Sequence, residues 1–302
     1  MKAIVCTKYG SPDVLQLKDV EKPVPGDHEV LIKVHAATVT RGDVILRSLK
    51  FPMGLVLRVF GMKQKKTPGH EFAGEIEAVG QAVTRFKPGD PVFGTTTGLA
   101  VGANAEYVCL PEVWGKGVLA LKPANLPYDE AAAVPVGGMT ALYLLKKGYI
   151  QRGQKVLIIG ASGSVGSYAV QLVKHFEADV TGVCSTANVE LVKSLGADTV
   201  IDYTQEDFTA NGQIYDVIFD AVGKSSLSQA KRALKEQGIY VTVKSSTSEQ
   251  SDSLLFLKEL IEAGEIKPVI DRRYPLEQAA EAHRYVESGR KKGNVVITVD
   301  HT

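Results

Sequence analysis

The stretch Lys155-Val-Leu-Ile-Ile-Gly160-Ala-Ser162-Gly163-Ser164-Val165-Gly166 decides how the rest of the chain is read. A continuous apolar run predicts a buried strand, and the periodicity over Val165–Phe176 predicts an amphipathic helix. Between them the spacing is Gly-x-x-Gly-x-x-Gly, the dinucleotide fingerprint with its second glycine shifted by one position. Glycine there allows a tight turn and lets the backbone approach a pyrophosphate. The helix that follows offers unpaired N–H groups and a positive dipole end to the same anion. Context carries more weight than spacing: the turn leaves a strand, opens a helix and begins a βαβ unit.

Working outward, helix and strand alternate on both sides of this turn. Tyr128–Gly148 reads as one helical stretch, with Asp129 and Glu130 near its start and Lys146-Lys147-Gly148 at its end. After the turn come strands at 180–184, 199–201, 217–220 and 239–243, with helices at 189–195 and 225–234 between them. Apolar strands alternating with helices predict a parallel sheet covered on both faces. The remainder predicts helices at 254–263 and 277–287 and strands at 268–274 and 295–299. Upstream, Ala3–Thr7, Glu29–Val34 and Glu71–Val79 are strand-like and bounded by Pro and Gly turns such as Lys87-Pro88-Gly89-Asp90. The expected organisation is a β-rich domain over 1–125, an α/β domain over 126–262, and a return to the first domain over 263–302.

Composition agrees with this division, since 302 residues suggest about two domains. Thirty-five basic residues against 34 acidic leave a net charge of +1, which argues against binding nucleic acid through its phosphates. A small-molecule partner is expected instead. No apolar run approaches the roughly 18–20 residues of a membrane span, and the apolar stretch near the N-terminus is too short for a signal-peptide core. Cys6, Cys109 and Cys184 are odd in number and far apart, as expected of reduced thiols in the cytoplasm.

The end of the second strand bears on which dinucleotide is bound. A site that prefers NAD places an Asp or Glu there, on the ribose 2′-OH. Here the strand runs into Cys184-Ser185-Thr186-Ala187-Asn188, which has no carboxylate. Neutral hydroxyl and amide groups take that place, and nothing in this stretch repels a 2′-phosphate. NADPH is therefore the expected cofactor, with NADH possible because no Arg or Lys follows directly.

Several further segments resemble one family: Gly69-His70-Glu71-Phe72-Ala73-Gly74, Phe86–Gly94, Ala105-Glu106-Tyr107, Ala131–Thr140, Leu195-Gly196-Ala197-Asp198 and Asp220-Ala221-Val222-Gly223. Together with the glycine turn they resemble the medium-chain dehydrogenase/reductase superfamily, in its zinc-free quinone oxidoreductase (zeta-crystallin-like) branch. The resemblance implies an α/β fold class: a GroES-like β-rich catalytic domain and a Rossmann domain, with cofactor in the cleft between them, and a homodimer. By the same resemblance Thr140 lies at the cofactor's phosphate or ribose, and Ser162, Gly163, Ser164, Val165 and Gly166 cradle the pyrophosphate. Ser185 and Tyr203 match positions that touch a 2′-phosphate, although Val189 stands where relatives often carry a base. Val222 and Gly223 are expected under a ribose, and Val243 and Lys244 near the nicotinamide.

The zinc-dependent branch holds its metal with Cys, His and Cys. His70 is present, but neither Thr38–Asp43 nor Ala133–Val136 contains a cysteine. A set of His70, Glu71 and Asp43 is the remaining option for a metal that needs three protein ligands. No metal is expected. Without a Lewis acid, reduction of an electron-poor quinone or enone is easier than alcohol oxidation, because the developing oxyanion needs only placed donors. Thr40, Arg41 and Tyr107 are the candidate catalytic donors, and Asp43 is expected to pair with a nearby base. Arg47 to Lys66, basic and apolar, reads as an insertion with snorkelling bases, a wall over the substrate, or a contact patch. An alcohol dehydrogenase with unusual zinc ligands and a nucleotide-binding protein with little turnover remain as alternatives.

Overall fold

A computed structural model describes residues 1–49, 66–210 and 212–301. The chain forms two units, one from Met1–Val136 and Ile270–Thr302, the other from Gly137–Val269. The divisions expected at residues 125 and 262 differ from the bounds of these units, which fall at Val136/Gly137 and Val269/Ile270.

The β-rich unit contains β1 (Lys2–Cys6), β2 (Leu15–Asp19), β3 (Glu29–Thr38), α1 (Arg41–Arg47), β4 (Glu71–Val79), β5 (Pro91–Thr95), β6 (Tyr107–Pro111), β7 (Leu119–Leu121) and α2 (Tyr128–Ala131). Helix α3 (Pro135–Lys147) leads into the α/β unit. That unit runs through β8 (Lys155–Ile159), α4 (Ser164–His175), β9 (Asp179–Cys184), α5 (Val189–Ser194), β10 (Thr199–Asp202), β11 (Tyr215–Asp220), α6 (Leu227–Ala230), β12 (Leu234–Thr242) and α7 (Ser251–Glu262). The chain then returns to the first unit with β13 (Ile270–Pro275), α8 (Ala279–Glu287) and β14 (Asn294–Thr298).

Two expected helices are shorter than their sequence pattern suggests. Tyr128–Gly148 is split into α2 and α3 because Pro135 has no N–H to donate to a preceding turn and can sit only in a helix's first turn. The stretch 225–234 is helical only over Leu227–Ala230, and Leu234 already opens β12. The long β12 tolerates an irregular register against β11 between Tyr215 and Val217.

In the β-rich unit β3 is the organising strand, pairing antiparallel with β4, β6 and β14. Val30, Ile32 and Val34 alternate along it and pack with Ile4, Phe72, Ile76, Leu110, Val295 and Ile297. Each such aliphatic or aromatic side chain contributes about 1.5–3 kcal/mol by leaving water. In the α/β unit the five strands are parallel in the order β10-β9-β8-β11-β12. Sequence order reverses between β8 and β11, so the carboxyl ends of these two strands form the switch point where ligands of such sheets bind. No helix among the described residues is long and apolar enough to cross a membrane.

Helix α8 turns Ala279, Ala282, His283 and Val286 toward the core. Burial pushes His283 down to about 4; the Asp43 carboxylate opposes that shift, while Arg47 reinforces it. The unfolded chain takes up this proton near the ordinary value of 6.5, so folding stability is complete above that pH and is lost as pH falls toward 4. Replacing His283 with Leu is expected to remove about 3 kcal/mol of this acid-induced loss, measured by urea denaturation between pH 7 and pH 4.

Candidate cofactor site

The turn after β8 is built from backbone contacts. Gly160 adopts φ +80°, and its N–H and that of Ala161 both donate to the Val183 carbonyl (3.0 Å each), which fastens the turn to β9. The Gly163 N–H closes the turn on the Gly160 carbonyl at 3.0 Å. Helix α4 then starts with Gly163 as its N-cap, which makes no side-chain cap bond. A Cβ at Gly166 would stand 2.1 Å from the Gly160 oxygen, so the helix reaches the turn only because residue 166 has none. At Gly163 the opposite holds: a Cβ there would meet nothing nearer than the Gly160 oxygen at 3.4 Å. Space above an uncapped helix start is what a pyrophosphate requires, so these residues fit a dinucleotide.

The expected cofactor residues of the α/β unit gather at one edge of the sheet. Asn188 donates through Nδ2 to Ser162 Oγ (3.1 Å) and Ser185 Oγ (3.3 Å), joining the glycine turn to the tip of β9. Tyr203 is exposed, and its N–H donates to the Cys184 carbonyl at 3.0 Å, next to Ser185. Across the switch point, buried Asp220 accepts from the N–H groups of Val222 (3.0 Å), Gly223 (2.8 Å) and Ser225 (2.8 Å), shaping the loop after β11. Val222 lies against Gly160, while Lys244 and Val243 lie over Gly223. Thr140 is half-buried in α3, whose Gly137 faces Ser164.

Two features here were not expected from the sequence. Asn188 acts as a bridge between two loops. Asp202 pairs in register with Cys184 and so stands level with the end of β9, on the neighbouring strand. The stretch after β9 lacks a carboxylate, as expected, while the carboxylate of Asp202 stands beside its end on β10.

In the β-rich unit the candidate donors are placed differently. Thr40 is the N-cap of α1. Its Oγ1 accepts from the Asp43 N–H (3.0 Å) and donates to Asp43 Oδ2 (2.6 Å), while its own N–H reaches Oδ2 at 2.8 Å. Asp43 is buried, and its Oδ1 meets His70 Nδ1 at 2.6 Å and the Gly69 N–H at 3.3 Å. Burial alone pushes this carboxyl up. The His70 charge, with bonds from His70 and Thr40, outweighs that and holds it far below the usual carboxylate range. The expected pairing of Asp43 with a base is thus observed, and the base is His70. Arg41 is exposed beside it. Tyr107 is not brought to this end. It pairs with Lys33, five residues or about 16 Å along β3 before Thr38. Its ring carries Lys22 Nζ at 3.7 Å and meets His301 edge-on at 5.5 Å.

Glu71 is likewise committed, accepting from Thr38 Oγ1 (2.5 Å) and the Val136 N–H (2.7 Å). Among the described residues no three His, Cys, Asp or Glu side chains converge as a metal-ligand set, so the donors present do not fit a zinc. Arg47 does not snorkel: it is buried, bonding the Gly10 carbonyl (2.6 Å) and Glu287 (3.0 Å). Lys66 is exposed, and the rest of the basic apolar segment, residues 50–65, lies outside the described residues. Because Thr40 caps α1, Thr40→Ala is expected to lower the unfolding free energy by about 1 kcal/mol and Thr40→Ser to retain it, as read from urea titrations.

Comparison with known proteins follows the same division. Residues 26–123 match the alcohol dehydrogenase GroES-like domain, and residues 164–268 and 244–297 match two families described as zinc-binding dehydrogenase. A 2-methylene-furan-3-one reductase of Solanum lycopersicum is 36% identical over 98% of this chain and 79% of its own length. An NADPH-dependent alkenal/one oxidoreductase of Arabidopsis thaliana, chloroplastic by name, is 34% identical over the same shares. Among solved structures, the quinone oxidoreductase from Coxiella burnetii superposes with a TM-score of 0.85 at 27% identity, covering 99% of each chain. An α/β unit with this strand order, inserted in a GroES-like unit and matched along almost its whole length, places the chain in the medium-chain dehydrogenase/reductase superfamily, among relatives named as quinone and enone oxidoreductases.

Proposed function

We propose that the protein is an NADPH-dependent oxidoreductase that reduces a quinone or an activated alkene such as an enone without a metal, and that NADH also serves. The observation that carries this is the open face above Gly163, at the uncapped start of α4 and at the switch point of a parallel sheet. The relatives named for a methylene-furanone, for alkenals and enones, and for quinones support the acceptor class.

In this reading the backbone of Gly160, Ser162, Gly163, Ser164, Val165 and Gly166 holds the pyrophosphate. Thr140 supplies a hydroxyl near it, Ser185 and Tyr203 flank the adenosine ribose, Val222 and Gly223 underlie the dinucleotide, and Val243 and Lys244 approach the nicotinamide. Reduced nicotinamide, when bound, supplies a hydride. An electron-poor acceptor suits a site without a Lewis acid, because its developing oxyanion needs only hydrogen-bond donors. Arg41 is the donor we assign to that oxygen. Thr40 and Asp43 hold the loop from which it projects, and His70 is oriented by Asp43. Glu71, bonded to Thr38 and Val136, serves structure. Tyr107, carrying Lys22 on its ring, is assigned no part in the reaction.

The thiols fit a reducing compartment such as the cytoplasm. None of the three cysteines forms a disulfide, and burial pushes Cys109 up to about 12 and Cys184 up to about 11, so both stay protonated and unreactive. A homodimer follows from the family resemblance.

A screen of quinones, enones and aldehydes with NADPH tests the assignment. Turnover is expected with the first two classes, and NADPH binding without oxidation by any of them would overturn it. Gly163→Asp puts a carboxylate into the open space beside the pyrophosphate and is expected to abolish NADPH binding in calorimetry while leaving thermal unfolding nearly unchanged. Incubation with a strong chelator is expected to leave turnover intact. Loss of activity that added zinc restores would make this a metal enzyme.

A further inference from the structure

The adenosine end of the cofactor site is held together by a carboxylate that the cofactor reading above does not use. Asp202 closes β10, its Cα paired with that of Cys184 at the end of β9. Its Oδ2 accepts from Thr186 Oγ1 at 2.5 Å. Its Oδ1 accepts from the Thr204 N–H (2.9 Å) and Thr204 Oγ1 (2.8 Å). The two threonine hydroxyls also touch each other at 2.9 Å. Both loops that flank Ser185 and Tyr203 are therefore tied to one anionic group. In a sheet of this order the coenzyme ribose lies at the end of the second strand, which here is β9. Asn188, bonded to both Ser162 and Ser185, fixes that strand end to the glycine turn.

The charge on Asp202 bears on any group bound at Ser185, because the flanking sequence does not compensate it: Thr181–Val192 and Asp198–Gly223 contain no Lys or Arg. The nearest base after β9, Lys193, is paired with Glu190 at 2.9 Å. The Thr186 bond, followed by those from Thr204, holds the Asp202 carboxyl below its ordinary value, so it is ionised at neutral pH.

We propose that Asp202 is a specificity-determining residue for the coenzyme, replacing from the adjacent strand the acidic group that the end of β9 lacks and keeping the preference for NADPH over NADH shallow. Asp202 acts through its charge, without taking part in hydride transfer. The inference rests on the reading that the Gly160 turn binds a nicotinamide dinucleotide.

Dissociation constants for NADPH and NADH, measured by calorimetry on the full-length wild-type, Asp202→Asn and Thr186→Val proteins, test it. The wild type is expected to bind NADPH no more than about tenfold tighter than NADH. Asp202→Asn removes the repulsion of a 2′-phosphate and should tighten NADPH by about tenfold while changing NADH by less than about twofold. Thr186→Val breaks one bond to the carboxylate but keeps the charge, so the NADPH-to-NADH ratio should stay at its wild-type value. A ratio unmoved in Asp202→Asn, or moved equally by Thr186→Val, overturns the proposal in favour of a purely structural clip. A wild-type measurement covers the case in which the Asp202 variant does not fold. Adenosine 2′,5′-bisphosphate should bind no more than about tenfold tighter than 5′-AMP, and a preference of about a hundredfold would overturn the proposal. Failure of both coenzymes to bind the wild type would instead overturn the dinucleotide reading itself, and this inference with it.

Discussion

The contact between the start of α4 and the turn after β8 is backbone on backbone, and the α/β unit is arranged around it. With no Cβ at residue 166 the helix comes close enough to the Gly160 carbonyl for its first turn to face the open space over Gly163. The same turn is fastened sideways to β9 by two N–H groups that share the Val183 carbonyl. The end of β9 is in turn fastened to the glycine loop by Asn188. A methyl group at one position would push the helix off the sheet and pull these linked parts out of register. Close packing of this kind leaves no slack to absorb the displacement.

The β-rich unit solves a different problem, that of burying charge. Asp43 is enclosed yet ionised because every lone pair it presents is met by a donor: His70, Gly69 and Thr40. Glu71 is enclosed in the same way by Thr38 and Val136. Arg47 offsets its own burial through Gly10 and Glu287. A buried charge is tolerated only with such partners, and each of these three ties together segments far apart in the chain. They work as clasps.

The α/β unit was largely legible in the sequence because its signals are local. Fully apolar strands, a glycine spacing and helical periodicity each occur within a dozen residues. What escaped was lateral. Asp202 lies 18 residues from Cys184 along the chain, since 202 − 184 = 18, yet is its register partner, and nothing in either segment alone reveals that. Aligning the carboxyl ends of successive parallel strands could have found it. The cap at Thr40 did have a local signal, Thr40-Arg41-Gly42-Asp43 before an apolar run, which is a capping-box spacing with Asp in the acidic position. The position of Tyr107 is a matter of strand register, which shows which end of β3 it occupies and which no local motif reveals.

The division of the chain also bears on the order in which its parts can mature during synthesis. Residues Gly137–Val269 are contiguous, and all five strands of their sheet leave the ribosome as one block. The sheet of the other unit is completed only by β13 and β14, with β14 adding to the edge of β3 along Ala36, Ala37 and Thr38. Until β14 is made, that edge of β3 lacks its β14 partner and presents unsatisfied backbone groups beside Val34, Phe72 and other core residues. The nascent β-rich unit is therefore vulnerable to mispairing for as long as translation of the inserted block takes, so a chaperone that shields strand edges would act on this half of the protein.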